Sequence, residues 1–216
     1  MRNIKQLTWD YFALLHLFHS VNRISNIDGN LKVQKLSFIT EVYGFEEGLA
    51  AMHFKFFRYT HGPYSKELAK DIDYLVQAEV LTSTRRLTKK ADFILDYLTE
   101  EARHDQAGQA VLATIQKVTT EFGKSSGLKL RDLVYKMTVP VHDFGGERMK
   151  VRDIDTFTDI IVPSACESLD NPSRILTDSM VEDINNEILL PLRALDSTTT
   201  SYQKTVQDAL HHALTS

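Results

Sequence analysis

A chain of 216 residues that is 43% hydrophobic and 25% charged can bury a substantial core, which excludes the disordered and collagen-like classes. Its single cysteine, Cys166, rules out an intrachain disulfide and fits a reducing compartment, and no histidine motif beside it marks a nucleophile. Net charge is −4, but residues 151–216 hold four basic against eleven acidic residues, a balance of −7 that leaves +3 on the first 150; such an acidic region repels nucleic acid and suits a basic protein partner.

Near the N-terminus, Arg2 and Lys5 precede the apolar run YFALLHLF. His16 interrupts that run, and no small-residue cleavage site follows it. It therefore reads as neither a signal peptide nor a membrane span, which would need about 18 apolar residues. A cytoplasmic protein is expected. Trp9 to Val21 is apolar on nearly every side, the pattern of a central helix. The turn residues SNIDGN break it. Leu31 to Tyr43 follows with Val33, Leu36 and Val42 on one face, and Gly44 is placed at the C′ position. MHFKFFRY reads as a short strand.

The stretch YTHGPYSKEL, residues 59–68, comes next. Gly62 permits positive φ, Pro63 is expected to bar a ladder, and Ser65 suits an N-cap for a helix from Lys66 to Ala78. Gly62, Pro63 and Ser65 thus read as a structural corner between strand and helix. VLTSTRRLT follows as a β-ribbon turning at Ser83–Thr84, with Arg85 and Arg86 near its tip. Thr88 is then expected to cap a helix that turns Phe93, Ile94, Tyr97 and Leu98 inward. Strand, corner, helix, ribbon, helix is a winged-helix order.

Residues 106–122 and Leu128 to Met137 read as further helices. VPVHDFGGERMK, with Pro140 and Gly145–Gly146, is the best boundary candidate, dividing residues 1–145 from an acidic helical extension, 146–216. In that extension Ser179 and Glu182 have capping-box spacing, Pro191 ends or kinks the helix, and Tyr202 to Leu214 reads as a last amphipathic helix. The expected class is mainly α with a small β-ribbon: a winged-helix-like N-terminal domain plus C-terminal helices. A chain cut near Lys150 is expected to stay folded.

Within this pattern LKVQKLSFITEVYG, FKFFRYTHGPYSKELAKDIDYLVQAEVL and LTKKADFIL resemble the SocA/Panacea domain and its phage-associated relatives. The matching residues are Gln34-Lys35-Leu36, Gly62-Pro63-Tyr64-Ser65 and Leu68, and the likeness covers about residues 10 to 137. Many members carry a tryptophan before the Gly-Pro, where this chain has Phe57 and Tyr59. The resemblance implies an antitoxin that binds a cognate protein toxin directly and in some members delivers it to a protease. It implies no catalytic site.

Other chemistries find less support. His16 and His19 stand at i, i+3 without a carboxylate or cysteine at a recognised metal spacing. Gly62-Pro63 lacks the glycines and the lysine of a phosphate loop. His142–Asp143 offers a base without a nucleophile. No enzyme, metal or cofactor is expected. The prospective recognition helix carries Lys66 and Lys70 against Glu67, Asp71, Asp73 and Glu79, a poor balance for lying along phosphates. A DNA-binding winged-helix regulator is the alternative reading, and nucleic acid ranks below a protein partner; a second copy of the chain is also admissible. The expected partner-binding residues are Tyr59, His61, Tyr64, Arg85 and Arg86, since amphipathic aromatics and arginines dominate contact spots.

Overall fold

A computed structural model describes residues 2–27, 29–141, 147–161 and 171–186. Among them the fold is mainly helical with a small antiparallel β component, as the periodicity predicts. The helices are α1 (Ile4–Asn22), α2 (Gly29–Glu46), α3 (Lys66–Gln77), α4 (Lys89–His104), α5 (Gln106–Phe122), α6 (Gly127–Val134) and α7 (178–186). Strands β1 (Phe56–Tyr59), β2 (Gly62–Tyr64) and β5 (Asp159–Ile161) form one sheet in the order β2-β1-β5. A second sheet pairs β3 (Thr138–Pro140) with β4 (Arg148–Lys150).

α1 is the central helix, because its apolar residues point in every direction and all of them need cover. Asn3 caps it, accepting from the Gln6 amide while the Gln6 side chain accepts from Asn3. From Thr8 to Leu15 every residue is buried, against α4, α5 and a 3₁₀ turn at Pro172–Ile175. α2 packs on α5 and α6 and also backs β2. Its end differs from expectation. Gly44 lies inside the helix, where a Cβ would come 2.8 Å from that of Ala51. Gly48, at φ +76°, takes the C′ position: its N–H donates to Phe45 O, and the Leu49 N–H donates to Gly44 O.

Several local expectations are corrected by neighbours. Pro63 does join a ladder, because β2 is an edge strand. The expected ribbon turns at Ser83–Thr84 but is reduced to one bridge, Leu81 to Leu87, closed by Thr82 N–H to Arg86 O. Thr88 sits at the α4 N-cap, yet its hydroxyl donates to the carbonyls of Glu79 and Val80 instead of capping. On α4, Ala91, Ile94, Leu95, Leu98 and Ala102 turn inward, whereas Phe93 is exposed and stacks on half-buried Tyr97. Thr177, not Ser179, caps α7 by accepting from the Met180 amide.

The described residues beyond 146 pack with what precedes them. β5 pairs with β1, and Ile160, Ile161, Leu176, Met180, Val181 and Ile184 join the core built on α1. His142–Asp143, Gly145–Gly146, Cys166, Pro191 and the expected Tyr202–Leu214 helix lie outside the described residues. No helix among the described residues is long and apolar enough to cross a membrane.

Candidate functional site

The corner at residues 59–65 is a tight hairpin. Phe57 faces Tyr64, Arg58 faces Pro63 and Tyr59 faces Gly62, leaving Thr60 and His61 as the exposed loop. Gly62 has φ +90°, as its place after the loop requires. The Arg58 amide and carbonyl are turned the other way, onto Thr158 O and the Phe157 N–H. In an antiparallel ladder this makes Arg58–Pro63 a pair without mutual hydrogen bonds, so the missing proline N–H costs nothing.

α2 clamps this hairpin from behind. The Gln34 side chain donates to Ser65 O at 2.9 Å and accepts from Ser65 N–H at 2.8 Å. Lys35 Nζ donates to Pro63 O at 2.7 Å. Ser65 then caps α3 by accepting from the Leu68 amide. Gln34-Lys35 and Gly62–Ser65, the two stretches on which the resemblance rests, therefore meet in space. Burial, with the nearby Arg58 guanidinium adding repulsion, pushes the Lys35 amine down to about 7. Arg58 itself lies over the Tyr135 ring, whose hydroxyl donates to Thr60 O.

On the outer side the hairpin carries aromatics. Phe57 and Tyr59 stand two residues apart on β1 and so share a face; Phe56, just before them, points the other way, into the core against Phe38. Tyr64 joins from β2 and Phe157 from the turn before β5. Ring centroids lie 5.7 Å apart for Tyr59–Tyr64 and Tyr59–Phe157, 5.8 Å for Phe57–Tyr64 and 6.4 Å for Phe57–Phe157. Lys66 Nζ sits 5.7 Å from the Phe57 centroid. Tyr59 is 42% exposed and Phe157 70%, and Phe157 holds φ +73°. A bulky residue at positive φ is strained, and an exposed phenyl ring is poorly placed in water. The strain and exposure coincide on one side chain.

A second polar centre lies beneath α1. Arg2 donates to Asp10 (2.8 Å) and Asp71 (2.7 Å) and lies over Phe54. His53 contacts Asp10 through Nδ1 (2.8 Å) and Asn171 through Nε2 (2.9 Å). Asn171 Oδ1 also accepts from the Ser173 amide, so it faces His53 as an acceptor. Oxygen acceptors on both ring nitrogens favour the imidazolium form of His53. Burial alone would lower its pKa, but Asp10 outweighs this and the net direction is up. Burial raises Asp71 to about 6 against the pull of Arg2, and it raises buried Glu41 well above its ordinary value. The cluster ties α1, α3 and the 171–176 turn together.

Of the expected contact residues, Tyr59 and Tyr64 are brought together and His61 lies on the loop between their strands. Arg85 and Arg86 are not part of this cluster: they fold back onto Asn30 in the first turn of α2 and Asn26 of the α1–α2 connection. Phe57 and Phe157 were not among the expected contact residues. The i, i+2 spacing of Phe57 and Tyr59 was a usable signal, whereas Phe157 arrives only through long-range pairing. His16 packs edge-on against Phe12, and burial lowers it to about 4, the state of a neutral core histidine. Among the described residues no group of three or more His, Cys, Asp or Glu could hold a metal ion. Comparison of the chain with protein-family models, curated proteins and solved structures gives no match.

Proposed function

We propose that this chain acts by binding a protein partner through the Phe57–Tyr59–Tyr64–Phe157 face, as a toxin-neutralising, antitoxin-like protein. The observation that carries the binding role is Phe157, strained and exposed at the edge of a packed aromatic cluster. Aromatic side chains supply much of the energy at protein contacts, and this cluster is pre-organised by the hairpin and its clamp. The toxin as partner rests on the resemblance, whose two motif pieces build that clamp. Delivery of the partner to a protease belongs to the same reading.

A test is co-expression with any small open reading frame that adjoins the gene, scored by growth and by co-purification. The parent chain should rescue growth from a toxic neighbour and retain it on a column. Phe157→Asn with Tyr59→Ser should lose at least tenfold in affinity. Asn tolerates positive φ, so the melting temperature of Phe157→Asn should match or exceed the parent value. A harmless neighbour would sink the toxin assignment, and unchanged affinity in the double variant would sink the aromatic face.

A further inference from the structure

We propose that the cleft between α1, α4 and α5 is a binding site for a short zwitterionic peptide, one with a free ammonium and a free carboxylate. The cleft is about 720 Å³, within the range of small-molecule sites, and has room for a peptide of about two or three residues. α1 contributes His16, His19, Ser20 and Arg23 to its wall, and α4 contributes Asp92, Asp96 and Thr99. Gln109, Leu112, Ala113 and Gln116 come from α5. None of these residues belongs to the aromatic face, so the two sites stand or fall separately.

The charges are arranged for a dipolar ligand. Arg23 stands on α1 and Asp92 and Asp96 on α4, yet among the described residues Arg23 pairs with neither aspartate. Both helices are fixed by their buried faces, so the opposite charges stay on separate walls. Elsewhere in the cleft charge is balanced, since Glu100 meets Arg103 at 3.7 Å and His104 at 3.4 Å. A ligand with one charge of each sign gains both contacts without reordering the walls. Its cation is a primary ammonium, whose three N–H groups match aspartate oxygens. A quaternary ammonium needs an aromatic cage, and no Phe, Tyr or Trp is among the described residues that line the cleft.

The neutral lining fits peptide groups. Gln109 and Gln116 each offer donors and an acceptor, Ser20 and Thr99 offer hydroxyls, and Leu95, Leu112 and Ala113 give an apolar patch for a side chain. His16 adds a directed donor. Its Nδ1 is buried and has no hydrogen-bond partner among the described residues. Burial, with His19 and Arg103 nearby, lowers the ring to about 4, so it is neutral at pH 7. A neutral ring carries one proton, and a buried N–H without an acceptor costs more than a buried lone pair. The proton is therefore assigned to Nε2, the nitrogen left to meet the cleft, where it can donate to a peptide carbonyl.

The experiment is titration of the full chain with the tripeptide Gly-Leu-Gly at constant ionic strength, followed by nitrogen–proton correlation spectra. Saturable shifts are expected at the Gln109 and Gln116 side-chain amides and at Arg23 Nε–H. The N-acetyl form and the C-terminal amide of the same tripeptide should each bind at least tenfold more weakly. Arg23→Gln should weaken the free tripeptide at least tenfold and leave the weaker binding of the C-terminal amide unchanged. Asp96→Asn should do the same with the N-acetyl form as its indifferent probe. Both positions are exposed, so both variants should melt with the parent. Three results would overturn the site: no saturable shift, a loss of affinity on blocking only one end of the peptide, or Arg23→Gln weakening the free and amidated forms equally.

Discussion

Lys35 shows how far a single residue can be read. A lysine flanked by Gln34 and Leu36 on an amphipathic helix is ordinarily a solvated charge, yet here it is almost wholly buried beneath Gly62 and Pro63. Its position follows from the edge strand: the Pro63 carbonyl points away from β1 and needs a donor, and Lys35 supplies one. The cost is desolvation, which lowers the amine to about 7 from its ordinary value of 10.5. Between those values the unfolded chain binds more protons than the folded one, so stability due to Lys35 rises with pH. It is fully present above about 10.5 and lost as pH falls through 7. Lys35→Met removes the titration together with one hydrogen bond worth about 1 kcal/mol. The variant should be at least as stable as the parent at pH 6, and the parent should gain on it by a few kcal/mol towards pH 10. Urea unfolding at both pH values measures this, and a pH-independent difference would refute it. Gly62 was legible because a Gly-Pro pair after a strand restricts the backbone locally. Lys35 was not, since its burial is decided by a strand that begins 27 residues later.

At the scale of elements, short pieces are held by side chains more than by their own length. β1, β2 and β5 have three or four residues each, too few for a two-residue period to be recognised. The helices have such a period and were legible, but their ends were not: Gly48 displaced Gly44, and Thr177 displaced Ser179. Phe93 and Tyr97 were misassigned because five of the six residues 93–98 are apolar, and the inward face is centred on Ala91, Ile94, Leu95 and Leu98, with Leu95 left out of the expectation. The 171–176 turn carries little periodicity and is fixed by Asn171 against His53. The titratable groups around this contact are Asp10 from α1, Arg2 before it, Asp71 from α3 and, next to Asp10, Glu41 from α2. Because the folded pKa of His53 is raised, its stabilisation is fully present below the unfolded value of about 6.5. It is lost as pH rises through the folded value. His53→Gln should therefore cost most at pH 6 and progressively less at higher pH, with amide exchange at 172–176 accelerating in step. A cost that stays constant from pH 6 to pH 9 would show that His53 acts through packing alone.

For the whole molecule, the decisive feature is how the chain beyond residue 150 returns to the first half. A glycine pair and a change in charge balance suggest a boundary, and composition alone carries no trace of β5 lying on β1. The pairing is physical. β5 and the turn before it supply Thr158 O and the Phe157 N–H to Arg58, while Ile160 and Ile161 enter the core. Leu176, Met180, Val181 and Ile184 follow, with Val151 and Ile154 before them. Burial of one aliphatic side chain is worth about 1.5–3 kcal/mol, so this set contributes on the order of 10 kcal/mol before the entropy of ordering it. Net stability of a domain is about 5–15 kcal/mol. A chain ending at Lys150 would also strip the Pro172–Ile175 turn from α1 and leave β1 with an open edge. The expectation that such a chain stays folded is accordingly reversed. It should lose its cooperative melt or melt far below the parent, and it should tend to self-associate through the bared edge. Circular dichroism, urea unfolding and sedimentation on the two chains decide this. A truncated chain that melts cooperatively at the parent temperature would mean residues 1–150 fold independently, with the later segment only resting on them.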